Sequence, residues 1–398
     1  MKETIVYIGN FSFPKNNSAG IRVLNNGYLF RSLGYAVTFI GLNKAVVKCE
    51  GSKPACNEYD GFKYYEFPYP KGLKDWLFFF TQLREVIEIL KKIKPTAVIA
   101  YGSMSNAFFA LFLSYWCRFN NVKFITDCVD WLAGASGGRL FRIGKRLDTE
   151  LQKRYVNAIG DGVIAVSSFL AEYYKSKSCK TLVLPPLSKT TAQHSKISVF
   201  KKEKCISIAY AGFPFPTDRK VKNRSFFKDR LDTKIELLSQ QDKDKFIFDI
   251  YGLSLSEYLR SVPEHKTLLK HMSGSVRFHG VVSNDVVLDR VSKVDYFFLF
   301  RDSNRMTNAG FPSKIAEAIS LGVPVITTAT SDISSYIING TNGYILVNDN
   351  FQTSVAELTR IFNQHEEKFE KLKKSCVVNN PFEIERFSDN TREFMKSI

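Results

Sequence analysis

The stretch "NAGFPSKIAEAISLGVPVITT" (308–328) sets a short turn, a helix-length apolar pattern and a strand in immediate succession. Within the Gly-Phe-Pro turn, Gly310 lets the backbone approach a ligand past Phe311, and Pro312 presets the first helical turn. Ser313 and the amides before it offer hydrogen-bond donors at a helix N-terminus, an arrangement suited to a phosphate. Lys314 adds a positive charge, and Arg301 and Arg305 can approach the same anion from upstream in the loop. Glu317 follows one turn in, where a carboxylate accepts two hydroxyl hydrogen bonds, as from a ribose. In isolation the same residues also read as a Ser313 helix cap and a Lys314/Glu317 surface ion pair, worth about a few tenths of a kcal/mol. Their setting, with the strand-like "VDYFFLF" before and "VPVITT" after, favours the ligand site.

Working outward, the second half continues as apolar runs separated by helix-length segments: "CISIAYAG", "KFIFDIYG", "SVRFHG", "VDYFFLF" and "VPVITT". The first half opens as strand, loop, helix and strand, from "TIVYIG" to "YAVTFIG", with Ile21, Leu24 and Tyr28 at helical spacing and Gly34 at the helix end. Further runs follow in "TAVIAYG", "VKFITDCVD", "DGVIAVS" and "TLVLPP". Continuous apolar strands of this kind belong to parallel sheets covered on both faces. Each half therefore predicts a doubly wound domain, and the polar, basic "LSKTTAQHSKISVFKKEK" (187–204) predicts the link between them. In such sheets ligands sit outside the carboxyl ends of the strands.

Composition narrows the function classes. At 398 residues, and about 150 residues per domain, two domains are expected. Seven cysteines without a C-x-x-C pair indicate neither a disulfide framework nor a zinc site. The opening "MKETIVYIGN" has no secretory pattern, and the most apolar stretch, "AFFALFLSYWC" (107–117), is short for a membrane span, so a cytoplasmic location is expected. Lys+Arg 56 against Asp+Glu 39 gives a net charge of +17, which favours an anionic partner. No RNA-recognition, helix-turn-helix or zinc-finger signature is present, so nucleic acid is not the expected partner.

The 308–328 segment resembles the donor-nucleotide site of GT-B glycosyltransferases, specifically the large retaining family 4. That family carries a Glu-x7-Glu motif opening a helix, followed by a Gly-x-Pro-Val-Ile run; Glu317 and "GVPVI" match its second half, in a variant similar to polysaccharide-assembly transferases with Pro-Ser-Lys before the glutamate. "VRFHGVVSNDVVLDRVSKVDYFFLF" resembles the family's strand, nucleotide-base loop with Gly280, helix and strand, and "DGVIAVSSFLAEYY" resembles another of its common segments. Gly20 matches the N-terminal glycine loop whose backbone faces the diphosphate or sugar, and Gly212 the glycine that opens the second domain. The resemblance implies an α/β, GT-B architecture of two doubly wound Rossmann-like domains facing across a cleft. It assigns 1–186 to an acceptor-binding domain, 187–204 to the linker, 205–375 to a nucleotide-sugar domain and 376–398 to a helix crossing back.

Three departures accompany it. Eight residues before Glu317 stands Ala309, where the family has its first motif glutamate on the donor sugar. Val129 occupies the place of a frequent N-domain histidine, leaving Asp127 and Asp130, of which Asp130 either orients an acceptor hydroxyl or caps the next loop. Phe213 stands where an arginine is common, leaving Lys220 or Lys222 as the diphosphate cation, with Arg301 as compensation.

The implied reaction moves a sugar from a nucleotide diphosphate, by family habit a UDP-sugar, to a hydroxyl on a sugar or lipid-linked acceptor, with retention. Lys314, Arg301 and Asp130 are the candidate catalytic residues; the developing diphosphate charge meets cations and helix-terminal amides, without a metal or cofactor. The alternatives are a silent subunit of a partner transferase, suggested by Ala309 and Val129, or a GT-B epimerase. A Rossmann dehydrogenase lacks its G-x-G-x-x-G here. Finally, "YPKGLKDWLFFFTQLREVIEILKKIKP" (69–95) mixes aromatic and basic residues, as a helix docking on an anionic membrane does and as an ordinary amphipathic helix also does.

Overall fold

A computed structural model describes residues 2–15, 17–46, 54–70, 82–102, 107–131, 139–189, 205–217, 220–221, 223–224, 227–347, 350–364 and 366–398. The chain divides into two compact units. The first comprises Met1–Lys189, Ala309–Phe311 and Ile384–Ile398, and the second Thr190–Asn308 and Pro312–Glu383.

The first unit is built on β1 (Thr4–Gly9), β2 (Ala36–Asn43), β3 (Cys56–Tyr59), β4 (Phe62–Pro68), β5 (Ala97–Tyr101), β6 (Lys123–Cys128), β7 (Gly162–Ala165) and β8 (Thr181–Val183). Their order in the sheet is β3-β4-β2-β1-β5-β6-β7-β8. All neighbours run parallel except β3 and β4. The strands of the sheet centre are buried on both faces, every residue of β5 and β7 included, because helices such as Ser18–Ser32 and Ala107–Phe119 pack over them.

The hairpin of β3 and β4 escapes the apolar-run criterion. Its first strand is exposed at Cys56–Glu58, and the signal is instead the Asp60-Gly61 turn, with φ of 47° and 75° at the two residues.

The second unit holds β9 (Ile206–Ala211), β10 (Phe246–Tyr251), β11 (Val276–Phe278), β12 (Tyr296–Leu299), β13 (Val325–Thr328) and β14 (Gly343–Leu346). These run in the order β11-β10-β9-β12-β13-β14, all parallel. The last strand, "GYIL", also goes unread in the sequence. It needs Gly343, since a Cβ there would lie 2.5 Å from the Val325 carbonyl oxygen.

Two boundaries differ from the sequence reading. The stretch 187–204 lies outside the described residues from 190 onward, but its start packs on the first unit, where Asn25 Nδ2 donates to the Leu187 carbonyl at 2.7 Å. The boundary drawn at 376 falls inside the helix Glu366–Val378, because Cys376 is a buried core position of that helix. The part that joins the first unit begins at Ile384. There the helix Ser388–Ser397 presses Phe394 onto β7, so that a Cβ at Gly162 would lie 2.6 Å from the ring. Among the described residues no helix is long and apolar enough to cross a membrane.

Candidate functional site

In the second unit the chain leaves β9 toward β10 and β11 on one side, and leaves β12 toward β13 and β14 on the other. The loops after β9 and β12 therefore diverge at the carboxyl ends of adjacent strands, and it is at such a switch in strand order that doubly wound sheets form their ligand crevice. Gly212 begins one loop, and Arg301 is the second residue of the other.

Arg301 is buried at this switch and donates from Nε to Asp229 Oδ1 at 2.6 Å. The Tyr210 hydroxyl donates to the other oxygen, Asp229 Oδ2, at 2.9 Å. Burial raises the Asp229 pKa, but the Arg301 and Lys234 charges outweigh it and hold the carboxyl below its ordinary value. Fully buried Lys234 lies 3.3 Å from the Tyr210 ring centroid and donates to the Phe298 carbonyl at 3.3 Å. Burial pulls its pKa down to about 7.

The main chain of Arg301 is held as well. Its amide donates to Thr328 Oγ1 at 2.9 Å and its carbonyl accepts from the same hydroxyl at 2.7 Å, fastening the loop to the end of β13.

The glycines shape the opposite wall. Gly212 has φ of +154°, and a Cβ there would approach the Tyr210 hydroxyl to 3.1 Å. A Cβ at Gly252, after β10, would lie 2.3 Å from the Gly212 carbonyl oxygen, so these two loops touch backbone to backbone. Gly280 joins them: its carbonyl accepts from Gly252 at 2.8 Å and its amide donates to Leu253 at 3.2 Å.

Lys314 and Glu317 occupy the helix Ser313–Ser320, with Nζ 2.9 Å from Oε2 and both side chains partly exposed. They form the i,i+3 pair that the sequence allowed. Ser313 is the first helical residue and not the cap, a position held by Pro312 without a side-chain capping bond. Gly310, Phe311 and Pro312 are buried; Ala309, Gly310 and Phe311 count with the first unit, in which Ser167 Oγ donates to the Ala309 carbonyl at 2.7 Å. Lys222 lies outside the described residues, and Lys220 is exposed.

In the first unit Gly20 sits in the first turn of the helix Ser18–Ser32, and its amide donates to the capping Asn17 Oδ1 at 2.7 Å. Close packing requires it, since a Cβ would stand 2.2 Å from the Ser12 carbonyl oxygen. Asp130 follows β6 and is partly exposed. The buried polar centre of this unit is Asp127. Arg22 reaches it from Nη2 at 2.8 Å and Nε at 3.2 Å, Tyr7 donates to it at 2.7 Å and Asn26 at 3.3 Å.

The structure thus brings together Gly212, Gly280 and Arg301 around one switch in strand order, and Lys314 with Glu317 on one helix. It adds Asp229, Tyr210 and Lys234, and in the first unit Arg22, Tyr7 and Asn26, none of which stands out in the sequence as a site residue. One signal is legible in the sequence: Lys234 stands amid the apolar Leu231, Ile235, Leu237 and Leu238 of a helix that buries all of them together with Asp232. Among the described residues no three His, Cys, Asp or Glu side chains are grouped to hold a metal ion.

The fold is GT-B, as comparison with solved structures establishes. Sucrose-phosphate synthase from Thermosynechococcus elongatus superposes with a TM-score of 0.67 at 14% identity, over 99% of this chain and 98% of that one. The catalytic domain of starch synthase IV from Arabidopsis thaliana, bound to ADP and acarbose, gives 0.68 at 12% identity over 100% and 99%. Anabaena HepE in complex with UDP-glucose gives 0.61 at 13% identity over 99% and 100%. No curated protein matches the chain in sequence. Residues 223–376 match the family model described as Glycosyl transferases group 1. That match falls in the second half of the chain and, together with the GT-B fold, supports a glycosyltransferase.

Proposed function

We propose that the chain transfers a glycosyl group from a nucleotide diphosphate sugar, a UDP-sugar first among them, to a hydroxyl of a sugar or lipid-linked acceptor in polysaccharide or glycoconjugate synthesis. Retention of configuration and independence of a metal or other cofactor belong to the same proposal. The observation that carries it is the switch in strand order between β9 and β12, flanked by the Gly212 and Arg301 loops, in a unit whose sequence matches the group 1 model. Solved structures of the same fold hold UDP-glucose or ADP.

In this reading the nucleotide lies at the carboxyl ends of β9 and β12, with Gly212 and Gly280 keeping the floor low enough for it. Lys314 and the first-turn amides of the helix Ser313–Ser320 meet the diphosphate, and Glu317 turns from Lys314 to the ribose hydroxyls. Arg301 contributes positive potential from its buried pair with Asp229 more than direct contact, because Nε is already committed. Asp130 and Gly20 belong to the acceptor side of the proposal.

The test is incubation with a panel of UDP-, GDP- and TDP-sugars, following donor hydrolysis and stabilisation by each nucleotide. Selective stabilisation with slow hydrolysis is the expected result. Selective binding with no turnover on any donor or acceptor supports a silent subunit instead, and stabilisation by none removes the nucleotide site.

A further inference from the structure

The first unit has a switch in strand order of its own. β2 lies on one side of β1 and β5 on the other, so the loops after β1 and β5 diverge at the carboxyl ends of adjacent strands. In the parallel register Gly9 pairs with Tyr101, and Tyr101 with Asp127, which sets the three in one row across β1, β5 and β6 on one face of the sheet. Gly9 contributes no side chain to the row, and none would fit: a Cβ there would lie 2.7 Å from the Tyr101 Cβ. The helix Ser18–Ser32 reaches this face, where its Arg22 pairs with Asp127.

Tyr101 is the member of the row whose polar group is unspent. Asp127 already accepts from Arg22, Tyr7 and Asn26. The Tyr101 side chain is 7% exposed, yet among the described residues its hydroxyl has no hydrogen-bond partner. Its ring is fixed edge to face against Phe11, with centroids 5.9 Å apart. Arg22, whose charge acts on this hydroxyl, keeps a second buried donor without a partner in Nη1. Polar groups left unpaired at such burial are costly, and native proteins keep them where something binds.

Charge selects what binds. The charged groups that act on the Tyr101 hydroxyl are Arg22, Asp127 and Asp130, one positive against two negative. Burial raises the pKa of the hydroxyl above its ordinary value, and Asp127 and Asp130 add to this against the opposing Arg22, so it stays protonated and donates. A phosphate or carboxylate would meet net repulsion at this spot, although the whole chain carries +17. A neutral hydroxyl accepts the Tyr101 hydrogen without that cost.

We infer that Tyr101, at the carboxyl end of β5, is a specificity-determining residue that donates to a hydroxyl of an uncharged sugar and makes the first unit select a neutral saccharide over a phosphorylated or uronic one. That this sugar is the acceptor of a transfer rests on the function proposed above; the binding itself does not. The other candidate contact surface of this unit, the 69–95 stretch, lies outside the described residues from 71 to 81.

The experiment is a saturation-transfer NMR titration of the full chain, without nucleotide, using the methyl glycosides of glucose, galactose, mannose and N-acetylglucosamine, and glucose 6-phosphate and methyl glucuronide. The wild type is expected to bind at least one neutral glycoside and neither anionic sugar. Tyr101→Phe, which removes the hydroxyl and keeps the ring, is expected to weaken that binding by about tenfold or more at an unchanged thermal midpoint. Asp130→Asn, which leaves one charge of each sign, is expected to admit the anionic sugars, and it carries the test should Tyr101→Phe not fold. Binding of no neutral glycoside overturns the inference, as does a Tyr101→Phe affinity equal to that of the wild type, a wild type that prefers glucose 6-phosphate, or continued exclusion of both anionic sugars by Asp130→Asn. Donor hydrolysis without glycoside binding leaves the transferase standing and removes this site; Tyr101-dependent glycoside binding without nucleotide binding keeps the site and removes the transferase.

Discussion

Arg301 and Asp229, 72 residues apart in sequence, form a buried ion pair with Nε 2.6 Å from Oδ1. The pair ties the loop after β12 to the segment that leads into the helix Leu231–Ser239, at the switch in strand order. Both side chains are buried, so removing one partner strands the other charge at a cost of about 3–5 kcal/mol. Asp229→Ala is therefore expected to lower the urea-unfolding free energy by that amount. A loss of less than about 1 kcal/mol shows that water already reaches the pair.

Glu317→Gln is the variant that separates ligand binding from folding. The Lys314 pair is partly exposed and contributes at most about 1 kcal/mol to stability. A charge-assisted bond to a ribose is worth about 1.5–3 kcal/mol, so the expected outcome is nucleotide affinity reduced by about tenfold or more at a nearly constant thermal midpoint. Calorimetric titration with the nucleotide found in the donor panel measures it. Lys314→Ala should likewise reduce turnover more than stability; equal losses leave the pair as a surface ornament of the helix.

Lys234 gives the second unit a pH dependence. Burial lowers its pKa to about 7, against an ordinary lysine value of about 10.4, with Asp229 and Asp232 opposing the shift and Arg301 adding to it. Between these two values the unfolded chain binds the proton and the folded one does not. Stability contributed by this group is therefore lowest below about pH 7 and rises toward about pH 10. Thermal midpoints measured across that window should climb more steeply for the wild type than for Lys234→Met. Parallel curves would show that the amine keeps its charge inside.

Two glycine-to-alanine changes in helices are expected to have opposite signs. Gly144 lies within the helix Arg139–Arg154 with open space around it, so Gly144→Ala should stabilise by about 0.5–1 kcal/mol. Gly20→Ala places its Cβ 2.2 Å from the Ser12 carbonyl oxygen, where the loop has to move, and should destabilise by about 1–3 kcal/mol. Equal shifts in denaturation midpoint for the two variants would contradict the close approach at Ser12.

Eleven of the strands announce themselves as largely apolar runs, because a strand buried on both faces is apolar at most of its positions, as in "AVIAY" and "YFFL". The hairpin at Cys56–Pro68 and the strand Gly343–Leu346 do not: β3 is an exposed edge that tolerates "CNEY", β4 mixes polar and apolar positions, and "GYIL" is short and opens on a glycine. The Gly-Phe-Pro-Ser-Lys turn with Glu317 is legible for the same local reason: a turn, a helix start and an i,i+3 pair are decided by neighbours in the chain.

The parallel α/β class, the two halves and the loop that opens the helix at Ser313 are legible in local pattern. Which polar residues meet depends on how the strands are ordered in each sheet. Arg22 and Asp127 are 105 residues apart, and Arg301 and Asp229 are 72 apart. Each pair is joined because particular strands are neighbours, β1 with β5 and β5 with β6 in one sheet and β9 with β12 in the other. Strand order follows from how the crossovers pack around the whole sheet, and no local period or turn signal carries that information.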